Sequence, residues 1–78
     1  MGEKLPILSA REVLKALAKL GFKPVRQRGS HIVVAKQTKG GKIGAVVPNY
    51  DEIPLGTLDS IIEQAKLSKE EFRKLLKK

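Results

Sequence analysis

The sequence predicts one α+β domain of order α-β-β-β-α, closed by a short C-terminal helix, in two layers around a single core. Three observations carry that expectation. Stretches with apolar residues at helical period stand near the two ends, three runs rich in β-branched residues lie between them, and glycine or proline marks the junctions. Seventy-eight residues make one domain rather than two. The domain is taken as residues 1–78, with its core over about 7–73.

Each element has a local cause. Ser9 and Glu12 stand at capping-box spacing, in which each side chain satisfies a free backbone N–H of the first helical turn. Val13, Leu14, Leu17 and Leu20 then recur on one helical face, and Gly21 suits the residue just past a helix end. The first helix is therefore expected over Ala10–Leu20. Strands are expected at Lys23–Arg28, His31–Gln37 and Ile43–Pro48. Pro24 has no N–H for a sheet ladder, so the first strand begins there or lies at an edge. Gly29-Ser30 fits a two-residue type II′ hairpin turn, which needs glycine at its first central position. Thr38–Gly41 reads as a looser second hairpin.

Asn49–Gly56, holding Pro54 and Gly56, reads as a loop. Leu58, Ile61, Ile62 and Ala65 give the i, i+3, i+4, i+7 face of a second long helix. Ser68 and Glu71 repeat the capping-box spacing, so a third helix begins at Lys69 and buries Phe72, Leu75 and Leu76.

Composition narrows the partners. A net charge of +8 on 78 residues favours polyanions, with nucleic acid ahead of an anionic membrane or an acidic protein. Apolar runs fall far short of the roughly 20 residues needed to span a bilayer. No signal-peptide pattern follows Met1, so the expected setting is the cytoplasm, with no membrane partner. With one histidine and no cysteine, a zinc site within the chain is not expected. The eight acidic residues show no paired-carboxylate motif, and no cofactor or metal is expected.

The Gly29-Ser30 turn sets a register. Counting back from it, Arg28 opposes His31, Gln27 opposes Ile32, Arg26 opposes Val33 and Val25 opposes Val34. Alternation then places Val25, Ile32 and Val34 on the face toward the helices, and Arg26, Arg28 and His31 on the other. An imidazole beside guanidinium groups suits RNA, with arginines pairing phosphate oxygens and the imidazole taking the ribose 2′-OH proton. His31 is the expected catalytic residue, supported by Gly29 and Ser30 in the turn, and Lys23, Arg26, Arg28 and Lys36 are the expected RNA contacts. About four such contacts on single-stranded RNA predict a log–log salt dependence of slope near roughly −3. Ser30 neighbours His31 in sequence but points to the opposite face, and reads as a turn residue rather than a nucleophile.

The run Arg28-Gly29-Ser30-His31, after the helix-ending Gly21-Phe22, resembles the hallmark of the HicA (YcfA-like) mRNA interferase toxins. Val46-Val47-Pro48-Asn49-Tyr50, then Gly56-Thr57-Leu58 and Ile61, is similar to the later signature of that family, which Gln64-Ala65, Leu67-Ser68 and Glu71-Phe72 continue. The resemblance covers about residues 7–73. It implies a double-stranded-RNA-binding-like fold, translation-independent mRNA cleavage by an endoribonuclease toxin of a stress-response toxin–antitoxin system, and one catalytic histidine at His31. It also implies a HicB-type antitoxin that covers the active face and binds DNA to regulate its own operon.

Two positions depart from the family pattern. Members often carry a second histidine after the Val-Pro of the third strand, where this chain has Tyr50. A proton for the leaving 5′ oxygen would then come from water, a lysine or Tyr50. Members also tend to have glycine where Lys66 stands, at the end of the second helix. Two other readings use the same features. A non-catalytic RNA-binding module would share the fold, though it would usually place lysines where Thr57, Leu58, Asp59 and Ser60 stand. A protein-interaction domain would use the Arg11, Lys15 and Lys19 stripe of the first helix as a docking surface for an acidic partner.

Overall fold

A computed structural model describes residues 5–76. Helix α1 (Ala10–Ala18) leads into strands β1 (Lys23–Arg28), β2 (His31–Thr38) and β3 (Gly41–Pro48), followed by helices α2 (Leu55–Gln64) and α3 (Lys69–Leu76). The strands form one antiparallel sheet in the order β1-β2-β3. This is the expected α-β-β-β-α order with a terminal helix, consistent with a double-stranded-RNA-binding-like arrangement.

The caps are those that the spacing predicts. The Ser9 hydroxyl accepts from the Glu12 N–H at 3.2 Å, and the Glu12 carboxylate accepts from the Ser9 N–H at 2.9 Å. Across the start of α3, Ser68 and Glu71 exchange the same pair of bonds at 2.8 and 3.0 Å. Helix α1 stops at Ala18, earlier than expected, because Lys19–Gly21 closes into a turn. Gly21 takes φ 98° there, which lets its N–H reach Ala18 O at 3.0 Å and the Phe22 N–H reach Leu17 O at 3.2 Å.

Helix α2 starts earlier than its apolar period implies. Pro54 caps it without a side-chain hydrogen bond, and the first helical bond runs from Leu58 N–H to Pro54 O at 2.9 Å. A proline in this position sacrifices no helical donor, so the segment read as loop is helical from Leu55.

One face of the sheet makes the core. Ile32 and Val34 of β2 and Ala45 and Val47 of β3 are buried with Val13 and Leu17 of α1 and Leu58 and Ile61 of α2. Phe72 of α3 is fully buried in the same cluster, and Leu75 and Leu76 pack against it partly exposed. The second hairpin is tighter than expected: Thr38 pairs with Gly41 around only Lys39 and Gly40, and the Thr38 hydroxyl donates to Gly41 O at 2.7 Å.

Val25 corrects the expected register. Pro24, not Val25, pairs with Val34, and the ladder shifts between Pro24 and Arg26. Val25 is the extra residue of a β-bulge and is 61% exposed instead of lying in the core. The helices pack over β3 rather than β1, and every residue of β1 is exposed. An edge strand that no helix covers has no apolar demand to hold a regular register.

Both sheet edges are blunted. The outward N–H of Val46 on β3 donates to the Gln64 side chain of α2 at 3.0 Å, and Pro48 offers no N–H at all. On β1, Pro24, the bulge and three basic side chains do the same task.

Candidate active site

The first hairpin forms as its turn residues dictate. Gly29 takes φ 56° while Ser30 stays at negative φ, the φ pattern of a type II′ turn. Arg28 and His31 are thereby directly opposed. His31 also pairs with Pro48 on its other side, so the imidazole stands at the end of the sheet between β1 and β3. His31 is exposed, on the face away from the helices.

Pairing and alternation sort the basic residues. Arg28 opposite His31, Arg26 opposite Val33 and Lys23 opposite Ala35 share the open face. Lys23 joins that face because of the bulge; an unbroken ladder would set it opposite Lys36 on the helix side. The three cations lie along β1 with their charged groups engaged by no other side chain among the described residues. Val33, Ala35 and the 38% exposed Val46 make an apolar strip down the middle of this face. Lys42, opposite Gln37 at the far end, is a further open-face cation that the strand parity of β3 could have revealed.

Lys36 does not belong with this set. It has the parity of Ile32 and Val34 and lies on the helix side. Its ammonium donates to Leu20 O at 3.4 Å and sits 5.2 Å from the centre of the Phe22 ring. Lys19, of the helix stripe, is likewise occupied, donating to Leu75 O at 2.6 Å where α3 ends.

Beyond His31's partner Pro48, the chain turns sharply. The Asn49 N–H donates to Ser30 O at 2.6 Å, the Tyr50 N–H returns to Pro48 O at 2.9 Å, and Tyr50 O accepts the Ala10 N–H at 2.9 Å. These bonds fasten the first hairpin, the end of β3 and the start of α1 together. They frame a cleft of about 410 Å³ lined by Ser9, Ala10, Arg11, Asn49, Tyr50 and Asp51. Tyr50 is 45% exposed. Spacing alone does not disclose this cleft, because it depends on the packing of α1 against the end of the sheet.

Among the described residues, no group of three or more histidine or acidic side chains converges in a way that could hold a metal ion. Nor is any helix among them long and apolar enough to cross a membrane.

None of the curated proteins matches the chain at a significant level. The family described as the HicA toxin of bacterial toxin–antitoxin systems matches residues 10–67, which runs from the first residue of α1 past the end of α2 and takes in the whole hairpin that carries His31. Helix α3 lies beyond the matched span. With most of its length accounted for in this way, the chain belongs to the HicA toxin family, whose members are the toxin of a toxin–antitoxin pair and so have an antitoxin as partner.

Proposed function

We propose that this toxin is a metal-independent mRNA endoribonuclease of the cytoplasm, with His31 as its general base. One observation carries the reading: the only histidine of the chain is exposed at a hairpin end, directly opposite Arg28 and on the same face as Arg26 and Lys23. In the proposed reaction the imidazole takes the proton of a ribose 2′-OH, and that oxygen attacks the adjacent phosphorus. The bond to the 5′ oxygen breaks, leaving a 2′,3′-cyclic phosphate on one fragment. The 5′ oxygen leaves with a proton from water or from the Tyr50 phenol. Arg28 and Arg26 hold the phosphate oxygens and stabilise the charge that builds on them. A base positioned in this way contributes about 10²–10⁴-fold to the rate.

A HicB-type antitoxin, in this reading, covers the open face and closes off His31. The basic row along β1 would speed its encounter with an acidic partner surface. A binding-only module would instead clamp phosphates with lysines opening the last long helix. Here α2 opens with Leu55, Gly56, Thr57 and Leu58, and Leu58 is fully buried.

The test is incubation of the purified protein and its His31→Ala variant with mRNA in the presence of chelator. The expected result is cleavage by the wild type alone, with cyclic phosphate and 5′-hydroxyl ends. RNA bound by both proteins but shortened by neither would overturn the nuclease reading in favour of a binding module.

A further inference from the structure

We propose that the cleft beside His31 is a nucleotide subsite, in which an unpaired RNA base next to the scissile phosphate stacks on Tyr50. The inference deepens the ribonuclease reading and rests on it for the identity of the ligand. The chain has three aromatic residues. Phe22 and Phe72 are buried in the core, at 2% and 0% exposure, so Tyr50 is the one aromatic ring that solvent, and hence a ligand, can reach. Unpaired bases are held on protein surfaces by such rings, because every base has a π-face.

Position supports the assignment. Tyr50 lies two residues past Pro48, the cross-strand partner of His31. Asn49, which lines the cleft, donates its N–H to the O of Ser30, the residue before His31, so the cleft adjoins the hairpin end that carries the imidazole. The mount is rigid, since main-chain bonds to Pro48 O and from Ala10 N–H fix the residue on both sides. None of those bonds uses the side chain, so the ring is free for a ligand and its replacement leaves the mount intact.

The chemistry of the lining selects a base over a second phosphate. Arg11 offers donors only, Asn49 offers both a donor and an acceptor, and Asp51 offers acceptors. A phosphate would meet the Asp51 carboxylate with like charge. A base edge presents donors and acceptors together and can use all three. The cleft volume of about 410 Å³ is ample for one nucleotide.

Binding of a uniformly 2′-O-methylated single-stranded RNA of mixed sequence, about 12 nucleotides long, tests this with the wild-type chain, Tyr50→Ala and Tyr50→Phe. Such RNA lacks the attacking hydroxyl, so affinity is read without cleavage. Tyr50→Ala is expected to bind about 5- to 100-fold more weakly, the scale of one lost stacking contact. Tyr50→Phe keeps the ring and is expected to stay close to the wild type. An abasic position scanned through the strand should weaken wild-type binding at one site and leave Tyr50→Ala indifferent there. Unchanged affinity in Tyr50→Ala, or equal losses in Tyr50→Ala and Tyr50→Phe, would overturn the subsite. A wild type that cleaves no RNA yet shows this dependence on the ring would sink the nuclease reading and leave the subsite standing. Cleavage with ring-independent affinity would do the reverse.

Discussion

Lys23 lies opposite Ala35, one residue out of step with a ladder counted back from the hairpin turn, and this offset puts its ammonium on the face that carries His31. The Val25 bulge therefore assembles a row of three cations, Lys23, Arg26 and Arg28, instead of the two that a regular strand would present. Lys36 leaves the expected set for the helix side, where it lies over Phe22.

A salt titration should register that rearrangement. Three phosphate contacts on single-stranded RNA give a log–log slope of about −2, in place of the roughly −3 expected for four. Lys23→Gln, Arg26→Gln and Arg28→Gln should each flatten the slope by about 0.7. Lys36→Gln should leave it unchanged, losing instead the bond to Leu20 O and the contact with the Phe22 ring, the latter worth about 0.5–1 kcal/mol of stability. A slope that Lys36→Gln flattens as much as Arg26→Gln does would put Lys36 back among the RNA contacts.

The turn at Gly29 couples stability to activity, whereas His31 does not. A Cβ added at Gly29 would meet no atom within 4 Å, so the obstacle to a side chain is the φ of 56° and not a clash. Gly29→Ala should cost about 1–2 kcal/mol, which lowers the melting temperature by roughly 4–8 °C per kcal/mol in a domain of this size. It should also slow cleavage, since a relaxed turn no longer sets His31 against Arg28. His31→Ala, at an exposed position, should abolish cleavage with the melting temperature kept. Paired thermal melts and cleavage rates check this, and an undiminished melting temperature in Gly29→Ala would refute the strained-turn account.

What the sequence makes legible here is local. Ser9 with Glu12 and Ser68 with Glu71 announce helix starts because a capping box needs only a spacing of three, and both form. Gly29 announces its turn for a similar reason, and the opposition of Arg28 and His31 follows from it. Strand parity also contained the fate of Lys36, which shares its face with Ile32 and Val34. The bulge at Val25 has no such local signature. Its residue type suits a core strand, and only the absence of a helix over β1 leaves it exposed. The cleft at Tyr50 is equally hidden, because it arises where α1 meets the end of β3.

Acid should loosen α3 through Glu71. The Ser68 N–H and then the Ser68 hydroxyl hold the Glu71 carboxyl below its ordinary value of 4.5 against the opposing effect of desolvation, and the nearby Lys74 ammonium adds the least. A pKa lowered by folding stabilises the folded state fully above 4.5, and the contribution fades as the pH falls through the lowered value. Glu71→Gln can still accept the Ser68 N–H but carries no charge. The melting temperature of the wild type should exceed that of Glu71→Gln near neutrality, and the gap should narrow on the acid side of 4.5. A gap that holds constant through strong acid would remove Glu71 as the titrating group.

Helix α2 ends on a residue poorly suited to its backbone. Lys66 takes φ 63°, the one non-glycine residue at positive φ among those described. Its N–H bonds Glu63 O at 3.0 Å and the Leu67 N–H bonds Ile62 O at 3.0 Å, the paired bonds of a helix end that usually carries glycine. An L side chain there is strained by about 1–2 kcal/mol. Glycine would relieve it, less about 0.4–1 kcal/mol for the greater freedom glycine gives the unfolded chain. Lys66→Gly should therefore stabilise the protein by roughly 0.5–1 kcal/mol, a rise of a few degrees in melting temperature. Lys66→Val should lower it, because a β-branched side chain tolerates positive φ least of all. The order Gly above Lys above Val is the outcome that the strain requires, and a Lys66→Gly variant that melts below the wild type would show that the lysine side chain contributes more there than its backbone costs.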